Sequence, residues 1–316
     1  LLATRDADMA HRLHSEAAEA ALRELVSASR FDIVQAEGIE MAPYALKIRD
    51  WLGADAPRLV FDDHNVEYLL QRRAGSADWH RPARWAAALY SYAQYRRLMA
   101  LETRICRQAQ AVLVVSEEDG VALRRLMPEL NPFVIPNGLD VADYDGGEAK
   151  ETDVALQRPA VVFTGKMDYR PNVDAMLWFY RRVWPTVRKT QPSAHLYVVG
   201  KSPHRRLHGL SEDDSVTVTG YVEDVLPYFR GADVYIAPFR VGGGTRLKIL
   251  QALAAALPLV TTTVGAEGIA VVDGVHARVA DDAATFARAV LSLAADREAA
   301  RALGTAGRQL VTNHYD

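Results

Sequence analysis

The chain has 316 residues, of which 49% are hydrophobic and 24% charged, an ordinary composition for a globular protein. A soluble chain of this length usually folds as two domains. The net charge of −3 argues against a broad positive surface for nucleic acid. Cys106 is the single cysteine, so no intrachain disulfide forms, which favours a reducing compartment such as the cytoplasm. No apolar run reaches the roughly 18 residues of a membrane-spanning helix.

Helices and strands alternate along the first half of the chain, which indicates a parallel sheet. Helices are predicted over 6–29, over 81–109 and from the capping residue Ser116 to Leu126. Strands are predicted over 31–38, 58–64 and 111–116. The segment 132–138 closes the domain, with a turn at Pro136, Asn137 and Gly138. These elements make a first domain over 1–140, and the polar segment 141–158, which contains adjacent glycines, is interpreted as a linker.

The second half of the chain, 159–316, repeats the alternation and is interpreted as a second α/β domain. Its strands are predicted over 160–165, 194–200, 215–221, 232–238, 257–262 and 276–280. Its helices are predicted over 172–190, 223–230, 245–257, 282–295 and 297–313. Ligands of such domains bind at the carboxyl ends of the strands, so the loops that follow these strands are the candidate site.

The segment FRVGGGTRLKILQALAAALPLVTT, over 239–262, is the most informative part of the second domain. Its three glycines lie at the turn from a strand to a helix, where they expose backbone N–H groups and allow a ligand to approach closely. The helix directs its positive end to the same place, and two basic residues add charge in its first turn. This pattern favours a diphosphate site over a turn that merely requires glycine. The residues of this site are Gly242, Gly243, Gly244, Thr245, Arg246 and Lys248.

The stretch GGGTRLKIL resembles the donor-site loop of retaining glycosyltransferases of family 4, and most closely their bacterial exopolysaccharide sugar-transferase branch. Further segments match this family in the right order: FDDHNVEYLLQRR at 61–73, VLVVSEED at 112–119, VIPNGLD at 134–140, VFTGKMDYRPNVDA at 162–175 and TGYVEDVLPYF at 219–229. The match covers almost the whole chain, and six ordered motifs are far more specific than one glycine loop.

The resemblance implies the GT-B architecture, in which two Rossmann-like α/β domains face each other across a cleft. It also implies a strand, a glycine-rich turn and further βα units before the first residue, and a helix after the last. The N-terminal domain is therefore expected to be incomplete and the chain truncated at both ends. A shorter natural architecture is the alternative.

The activity implied is transfer of a hexose, with retention, from a nucleotide-diphosphate sugar to a saccharide or polyprenyl-linked acceptor. Synthesis of exopolysaccharide or cell-envelope glycan is the expected setting, in the cytoplasm or at the inner face of the membrane. Enzymes of this kind stabilise the departing diphosphate with positive side chains and a helix N-terminus instead of magnesium. No metal cofactor is therefore expected.

Carried over residue by residue, the resemblance assigns catalytic roles on the diphosphate to Lys166 and Arg246. The family carries a lysine where this chain has Pro171, and Arg170 is the nearest substitute. For Arg170 and Lys248, a solvent-exposed surface charge is the alternative interpretation.

Gln251 stands where the family carries a glutamate that accepts hydrogen bonds from the ribose. A glutamine keeps one carbonyl acceptor but loses the charge, so weaker donor binding is expected than in glutamate-bearing relatives. The loop glycine Gly165 and Tyr221, which ends the strand over 215–221, are also predicted to contact the donor. A simple βα turn is the alternative for Tyr221.

His64 and Asn65 lie at the carboxyl end of the strand predicted over 58–64. A histidine there can hydrogen-bond a sugar hydroxyl and exchange a proton near pH 7, and the resemblance places it near the reacting sugar. The alternative is a histidine that caps the next helix or bonds a backbone carbonyl. The flanking acids Asp62, Asp63 and Glu67 lack a convincing metal-ligand spacing.

The helix over 81–109 interleaves six arginines with four aromatic residues. Such a helix can lie on an anionic membrane, which suits a polyprenyl-linked acceptor. A solvated face with aromatic core contacts is the alternative, and it is favoured.

Two other functions stay open: a catalytically inactive nucleotide-sugar-binding module, and a GT-B nucleotide-sugar epimerase that needs no acceptor. A nicotinamide dehydrogenase is disfavoured because no strand is followed by G-x-G-x-x-G with an acid about 20 residues later.

Overall fold

The structure is a computed structural model that describes residues 6–79, 85–145, 154–242 and 245–316, with the side chains of residues 74 and 77–79 left aside. The chain forms two compact units. Unit 1 comprises residues 1–136 together with 242–244, and unit 2 comprises residues 137–241 and 245–316.

Unit 1 is built on a four-stranded parallel sheet in the order β1-β2-β3-β4. Its strands are β1 (Ile33–Glu37), β2 (Arg58–Asp63), β3 (Ala111–Val114) and β4 (Phe133–Val134). Its helices are α1 (Asp8–Arg12), α2 (Glu16–Ala28), α3 (Ala42–Leu52), α4 (Glu67–Trp79), α5 (Trp85–Gln108) and α6 (Glu117–Leu126).

The first predicted helix, over 6–29, is two helices, α1 and α2. Ser15 caps α2, since its side chain accepts a hydrogen bond from Ala18 N at 3.3 Å. Tyr44 on α3 occupies the break: its hydroxyl donates to Leu13 O at 2.9 Å and accepts from Ser15 N at 2.8 Å. A side chain from elsewhere in the chain thus satisfies the backbone groups that the break leaves without helical partners.

Unit 2 is built on a six-stranded parallel sheet in the order β10-β9-β8-β5-β6-β7, the arrangement of a doubly wound Rossmann-like fold. Its strands are β5 (Ala160–Thr164), β6 (His195–Val199), β7 (Val216–Gly220), β8 (Val234–Ala237), β9 (Leu259–Thr261) and β10 (Arg278–Val279). The chain runs outward from β5 in one direction and then crosses to β8 on its other side. The strand order therefore reverses between β5 and β8, and a ligand crevice is expected where these two strands end.

The helices of unit 2 are α7 (Arg170–Trp178), α8 (Trp184–Thr190), α9 (Leu226–Gly231), α10 (Leu247–Ala254), α11 (Thr263–Ala266), α12 (Ala283–Ala295) and α13 (Arg297–His314). A π-helical segment, Phe179–Val183, joins α7 to α8. Pro185 lies in the first turn of α8 and has no N–H to donate, which accounts for the irregular turn before it.

Helix α13 packs closely on α10. A Cβ at Gly304 would overlap the carbonyl of Ala256, and one at Gly307 would lie 2.6 Å from the Leu253 side chain. The two glycines therefore let the backbones approach more closely than any larger residue would permit.

All nine predicted strands are confirmed in type and place, and the segment 132–138 contains a tenth, β4, of only two residues. Helix α10 is shorter than the predicted range 245–257, because Arg246 precedes it as N-cap and Ala256 adopts a positive φ of 53° after it. Helix α9 begins at Leu226 rather than at 223, with Asp224 accepting from Leu226 N at 2.9 Å. Helices α3 and α4 were not anticipated. The linker predicted over 141–158 contains a 3₁₀ helix, Val141–Tyr144.

Asp63 is a fully buried carboxylate in unit 1. The side chains of β2 alternate between the two faces of the sheet, so Asp63 lies on the same face as the core residues Leu59 and Phe61. Burial is the main cause that raises the pKa of Asp63 well above its usual value, and the nearby carboxylate of Glu102 adds to the effect.

Glu102 is also fully buried and stabilises the start of α4. Its carboxylate accepts hydrogen bonds from Glu67 N at 2.6 Å and Tyr68 N at 3.2 Å. Burial outweighs these two hydrogen bonds and raises the pKa of Glu102 to about 8, and it raises the pKa of Glu67 to about 7. Unit 1 therefore holds protons at neutral pH that an unfolded chain would release.

We expect unit 1 to lose stability as the pH rises. A carboxyl whose folded pKa is raised stabilises the fold fully below its unfolded pKa and loses that contribution as the pH passes its folded value. The free energy of unfolding should fall by on the order of 3 kcal/mol between pH 5 and 8. Amide hydrogen exchange of β2 and α5, corrected for intrinsic rates, measures this.

In Glu102→Gln the free energy of unfolding should fall less steeply with rising pH, because the amide cannot release a proton. The same change at the exposed Glu118 serves as the control and should leave the decline as it is. A stability that stays level or rises with pH in the natural chain would contradict the raised pKa values.

Candidate functional site

The loop after β5 opens the candidate site in unit 2, at the point where the strand order reverses. Its first residue, Gly165, donates its N–H to Val199 O at 2.9 Å and has a φ of 154°. A Cβ at Gly200, which follows β6, would overlap the carbonyl of Gly165. Two glycines at neighbouring strand ends thus bring the backbones into close contact and leave space above Gly165.

The side chain of Lys248, from the first turn of α10, enters that space. Its Nζ donates to Asn172 Oδ1 at 2.9 Å and lies 4.9 Å from the ring centre of Phe163 and 5.2 Å from that of Phe239. A Cβ at Gly165 would collide with this ammonium. Lys248 is partly buried and directed to the loop, so the interpretation as an exposed surface lysine is wrong.

Burial in this apolar setting, and then the charge of Arg246, lower the pKa of Lys248 to about 7. The direction follows because desolvation disfavours the charged form of a lysine, and a nearby guanidinium disfavours it further. The ammonium is held by the neutral oxygen of an amide and by two aromatic faces. An anion that reached this site would therefore favour the protonated lysine.

Arg246 is the N-cap of α10 rather than a residue of its first turn. The residue is 9% exposed, and its guanidinium lies 5.2 Å from the ring centre of Phe239. The same ring thus contacts both Arg246 and Lys248. The N-terminus of α10 carries its own partial positive charge, so three sources of positive potential meet here.

The glycine loop before α10 is described only in part. Gly242 has a φ of 128°, in the region that favours glycine, whereas Gly243 and Gly244 lie outside the described residues. Thr245 is partly buried, and its hydroxyl donates to Gly268 O at 3.4 Å. The predicted roles of the three glycines on a diphosphate stay predictions.

Gln251 lies one turn after Lys248 on α10, and its Nε2 donates to the Tyr144 hydroxyl at 2.9 Å. Tyr144 belongs to the 3₁₀ helix Val141–Tyr144. Arg308 on α13 holds the same segment, since its guanidinium donates to Tyr144 O at 3.4 Å and pairs with Asp145. This hydrogen bond does not use the amide oxygen of Gln251.

The other predicted residues of unit 2 lie farther from this centre. The Lys166 side chain is largely exposed and pairs with Asp168 at 3.4 Å, although its backbone carbonyl accepts from Asn172 Nδ2 at 2.8 Å. Arg170 is the first residue of α7. Tyr221 follows β7, two strands away from β5, and is 72% exposed. The structure brings Gly165, Arg246 and Lys248 together and leaves Tyr221 apart.

In unit 1, His64 and Asn65 directly follow β2. His64 is half-exposed, and its Nε2 lies 3.8 Å from Asp62 Oδ2. Gln35 on the neighbouring strand donates to the same carboxylate oxygen at 3.4 Å. These polar groups share the carboxyl edge of the sheet, which is where a catalytic histidine was predicted.

Asn172 and Tyr144 were missed as site residues. Asn172 is 3% exposed in the structure. Its sequence signal is a polar residue directly after a proline at the start of a helix. Tyr144 lay inside the segment interpreted as a linker. Cys106 is buried, and burial raises the pKa of its thiol.

Among the described residues, no group of three or more histidine, cysteine or acidic side chains is arranged to hold a metal ion. None of the described helices is both long enough and apolar enough to cross a bilayer.

Two known protein families match the chain. The family described as Glycosyltransferase Family 4 matches residues 7–143, and the one described as Glycosyl transferases group 1 matches residues 158–296. The GDP-mannose-dependent alpha-(1-6)-phosphatidylinositol monomannoside mannosyltransferase of Mycobacterium tuberculosis is 32% identical over 201 residues, which are 57% of this chain and 51% of that protein. The chain spans 50% and 66% of the length of two other curated relatives.

Solved structures of low sequence identity share the fold. Sucrose-phosphate synthase from Thermosynechococcus elongatus matches with a TM-score of 0.73 at 20% identity, covering 94% of this chain and 73% of that one. Anabaena HepE in complex with UDP-glucose matches with a TM-score of 0.67 at 15% identity, covering 93% of this chain and 78% of that one. The parallel α/β sheets and these neighbours confirm the predicted GT-B fold class. Residues 7–143 and 158–296 therefore each match a glycosyltransferase family model, the first that of Glycosyltransferase Family 4 and the second that of Glycosyl transferases group 1.

Proposed function

We propose that this protein transfers a hexose from a nucleotide-diphosphate sugar to a saccharide or lipid-linked acceptor, with retention at the anomeric carbon. The observation that carries the proposal is the pair of basic residues at the N-terminus of α10: Arg246 is buried, and Lys248 is held over Gly165 beside the same phenylalanine ring. Two cations held close together, partly out of water, are suited to a multiply charged anion.

The chemistry follows from where charge appears. When the glycosidic bond to the donor breaks, negative charge grows on the departing diphosphate. Arg246, Lys248 and the N-terminus of α10 are fixed before the reaction, so they stabilise the transition state more than the ground state. In this proposal they take the part that magnesium plays in other enzymes, and no metal cofactor is needed.

The acceptor hydroxyl is proposed to attack from the face that the diphosphate leaves, without a protein nucleophile. His64, with the carboxylate of Asp62 3.8 Å from its Nε2, is proposed to bind the reacting sugar or the acceptor. Retention, and the exopolysaccharide or cell-envelope setting, rest on the resemblance of the sequence motifs.

We expect one nucleoside diphosphate to bind this chain without metal. UDP, GDP, ADP and dTDP are titrated by calorimetry, first in EDTA and then with magnesium. Arg246→Ala should weaken binding by about tenfold or more, because a charge-assisted hydrogen bond contributes about 1.5–3 kcal/mol. Arg288→Ala on α12, an exposed arginine in the same unit, is the matched control.

Absence of binding by all four nucleotides to the folded protein would contradict the proposal for this chain. Nucleotide binding without sugar transfer, tested with donor and acceptor, would favour an inactive binding module. Release of nucleotide and an altered sugar from donor alone would favour an epimerase.

Gln251→Glu should tighten nucleotide binding by about tenfold, because the ribose hydroxyls would then bond to a carboxylate. The new carboxylate also retains Tyr144, whose hydroxyl would donate to it instead of accepting. Gln309→Glu on α13 makes the same change of charge on an exposed face and is the control. Equal affinities in natural chain and variant would mean that Gln251 does not face the ribose.

A polyprenyl-linked acceptor would bring the protein to the inner face of the membrane, and we propose that α5 meets that surface. Trp85, Leu89 and Tyr92 are 55%, 60% and 57% exposed and, at spacings of four and three, lie on one face of the helix. Arg96 continues this face. The only acid of α5 is Glu102, which is buried, so the exposed charges of the helix are all positive.

The triple variant Trp85→Ser, Leu89→Ser, Tyr92→Ser should lose co-sedimentation with vesicles that contain anionic lipid, since both apolar area and interfacial aromatics are removed. Val272→Ser, Val275→Ser removes exposed apolar side chains from unit 2 and is the control. If the natural chain does not sediment with anionic vesicles, the proposed contact of α5 with the membrane is contradicted.

A further inference from the structure

Asn172 connects two parts of the candidate site that are distant in sequence. It is the third residue of α7 and is 3% exposed. Its Oδ1 accepts from Lys248 Nζ at 2.9 Å, and its Nδ2 donates to Lys166 O at 2.8 Å. Because one atom of the amide accepts and the other donates, the loop after β5 fixes the orientation of the side chain, and the side chain fixes the ammonium.

The loop after β5 leaves room for the contact between Asn172 and Lys248 at one position. Gly165 has no side chain, and a Cβ there would collide with Lys248 Nζ and lie 2.8 Å from Asn172 Nδ2. The Lys166 side chain of the same loop is largely exposed and pairs with Asp168 at 3.4 Å. The positive charge beside the Gly165 turn is thus supplied by α10 and oriented by α7.

We propose that Asn172 is a positioning residue that aims the Lys248 ammonium at the diphosphate of a bound nucleotide. The inference rests on the function proposed above and adds a residue to which no role has been assigned.

The charged groups around Lys248 determine how the pair of Asn172 and Lys248 responds to pH. Arg246 precedes it, and two carboxylates lie on the elements packed nearby: Asp168 pairs with Lys166 in the loop after β5, and Asp174 on α7 pairs with Arg240 after β8. Arg170 at the start of α7 adds a further positive charge. Among the described residues no carboxylate is hydrogen-bonded to the ammonium, and the pKa of Lys248 is lowered to about 7, first by burial and then by Arg246.

Nucleotide affinity should accordingly depend on the protonation of Lys248. Below pH 7 the ammonium is already formed, whereas above pH 7 binding must also take up a proton. The affinity should then fall by up to about tenfold for each pH unit above 7. Asn172→Asp places a carboxylate on Nζ, which favours the ammonium and should shift this decline to higher pH.

The experiment measures the dissociation constants of UDP and GDP between pH 6.5 and 9 for the natural chain, Asn172→Asp and Lys248→Met. Lys248→Met should bind more weakly at pH 6.5 and lose the decline. Asn313→Asp on α13, an exposed change of the same kind, should keep the natural profile. The titration of Lys248 itself is followed without nucleotide, by NMR of ¹³C-labelled lysine, and should move upward in Asn172→Asp.

The outcomes separate the two proposals. If nucleotide binds and the profile and the lysine titration are the same in the natural chain and Asn172→Asp, the positioning role is overturned and the proposed function stands. If neither nucleotide binds the natural chain at any pH, both are overturned. If Asn172→Asp does not fold, the Lys248→Met variant still tests the proposal. A nucleotide affinity of Lys248→Met that still falls above pH 7 would overturn the proposed role of Asn172 and Lys248.

Discussion

The candidate site depends on one constraint: positive side chains are held close together, partly out of water, where two parallel strands end. Like charges in such a place raise the free energy of the folded protein unless polar groups and ring faces compensate for lost hydration. Here Asn172, Phe163 and Phe239 provide that compensation for Lys248. This arrangement is consistent with the proposed binding of an anionic ligand.

Unit 1 buries acidic rather than basic side chains, and it compensates for their lost hydration differently. Asp63 and Glu102 lie in the core beside β2, and their raised pKa values mean that protons, rather than cations, neutralise them. Glu102 also anchors the first turn of α4, immediately after the segment that carries His64 and Asn65. The acid cluster therefore supports the position of the polar residues at the edge of this sheet.

Much of the fold was predictable because parallel strands buried on both faces are short apolar runs between turn residues, as β5, β6 and β8 show. The residues at which helices begin were harder to predict from the sequence. The break between α1 and α2 is filled by the hydroxyl of Tyr44, a residue that local sequence cannot connect to it. Helix α4 has weak apolar periodicity, and neither it nor α3 was predicted.

The same limit applies to the site. Glycines, arginine and lysine in one segment indicated an anion, and the structure brings Gly165, Arg246 and Lys248 together. The roles of Asn172 and Tyr144 depend on contacts that span 76 and 107 residues, which no local pattern reports. Lys248 could not be distinguished from a surface lysine until the space above Gly165 was known.

The tight packing of α13 on α10 has an evolutionary consequence. Gly304 and Gly307 each lower the intrinsic helix propensity of α13 by about 1 kcal/mol relative to alanine, yet alanine would force α10 away from it. Because α10 carries Arg246 at its cap and Lys248 in its first turn, a displacement at its C-terminal end would also move these two residues. Selection on ligand affinity can therefore act on a helix that has no contact with the ligand, and it restricts this face of α13 to the smallest residue.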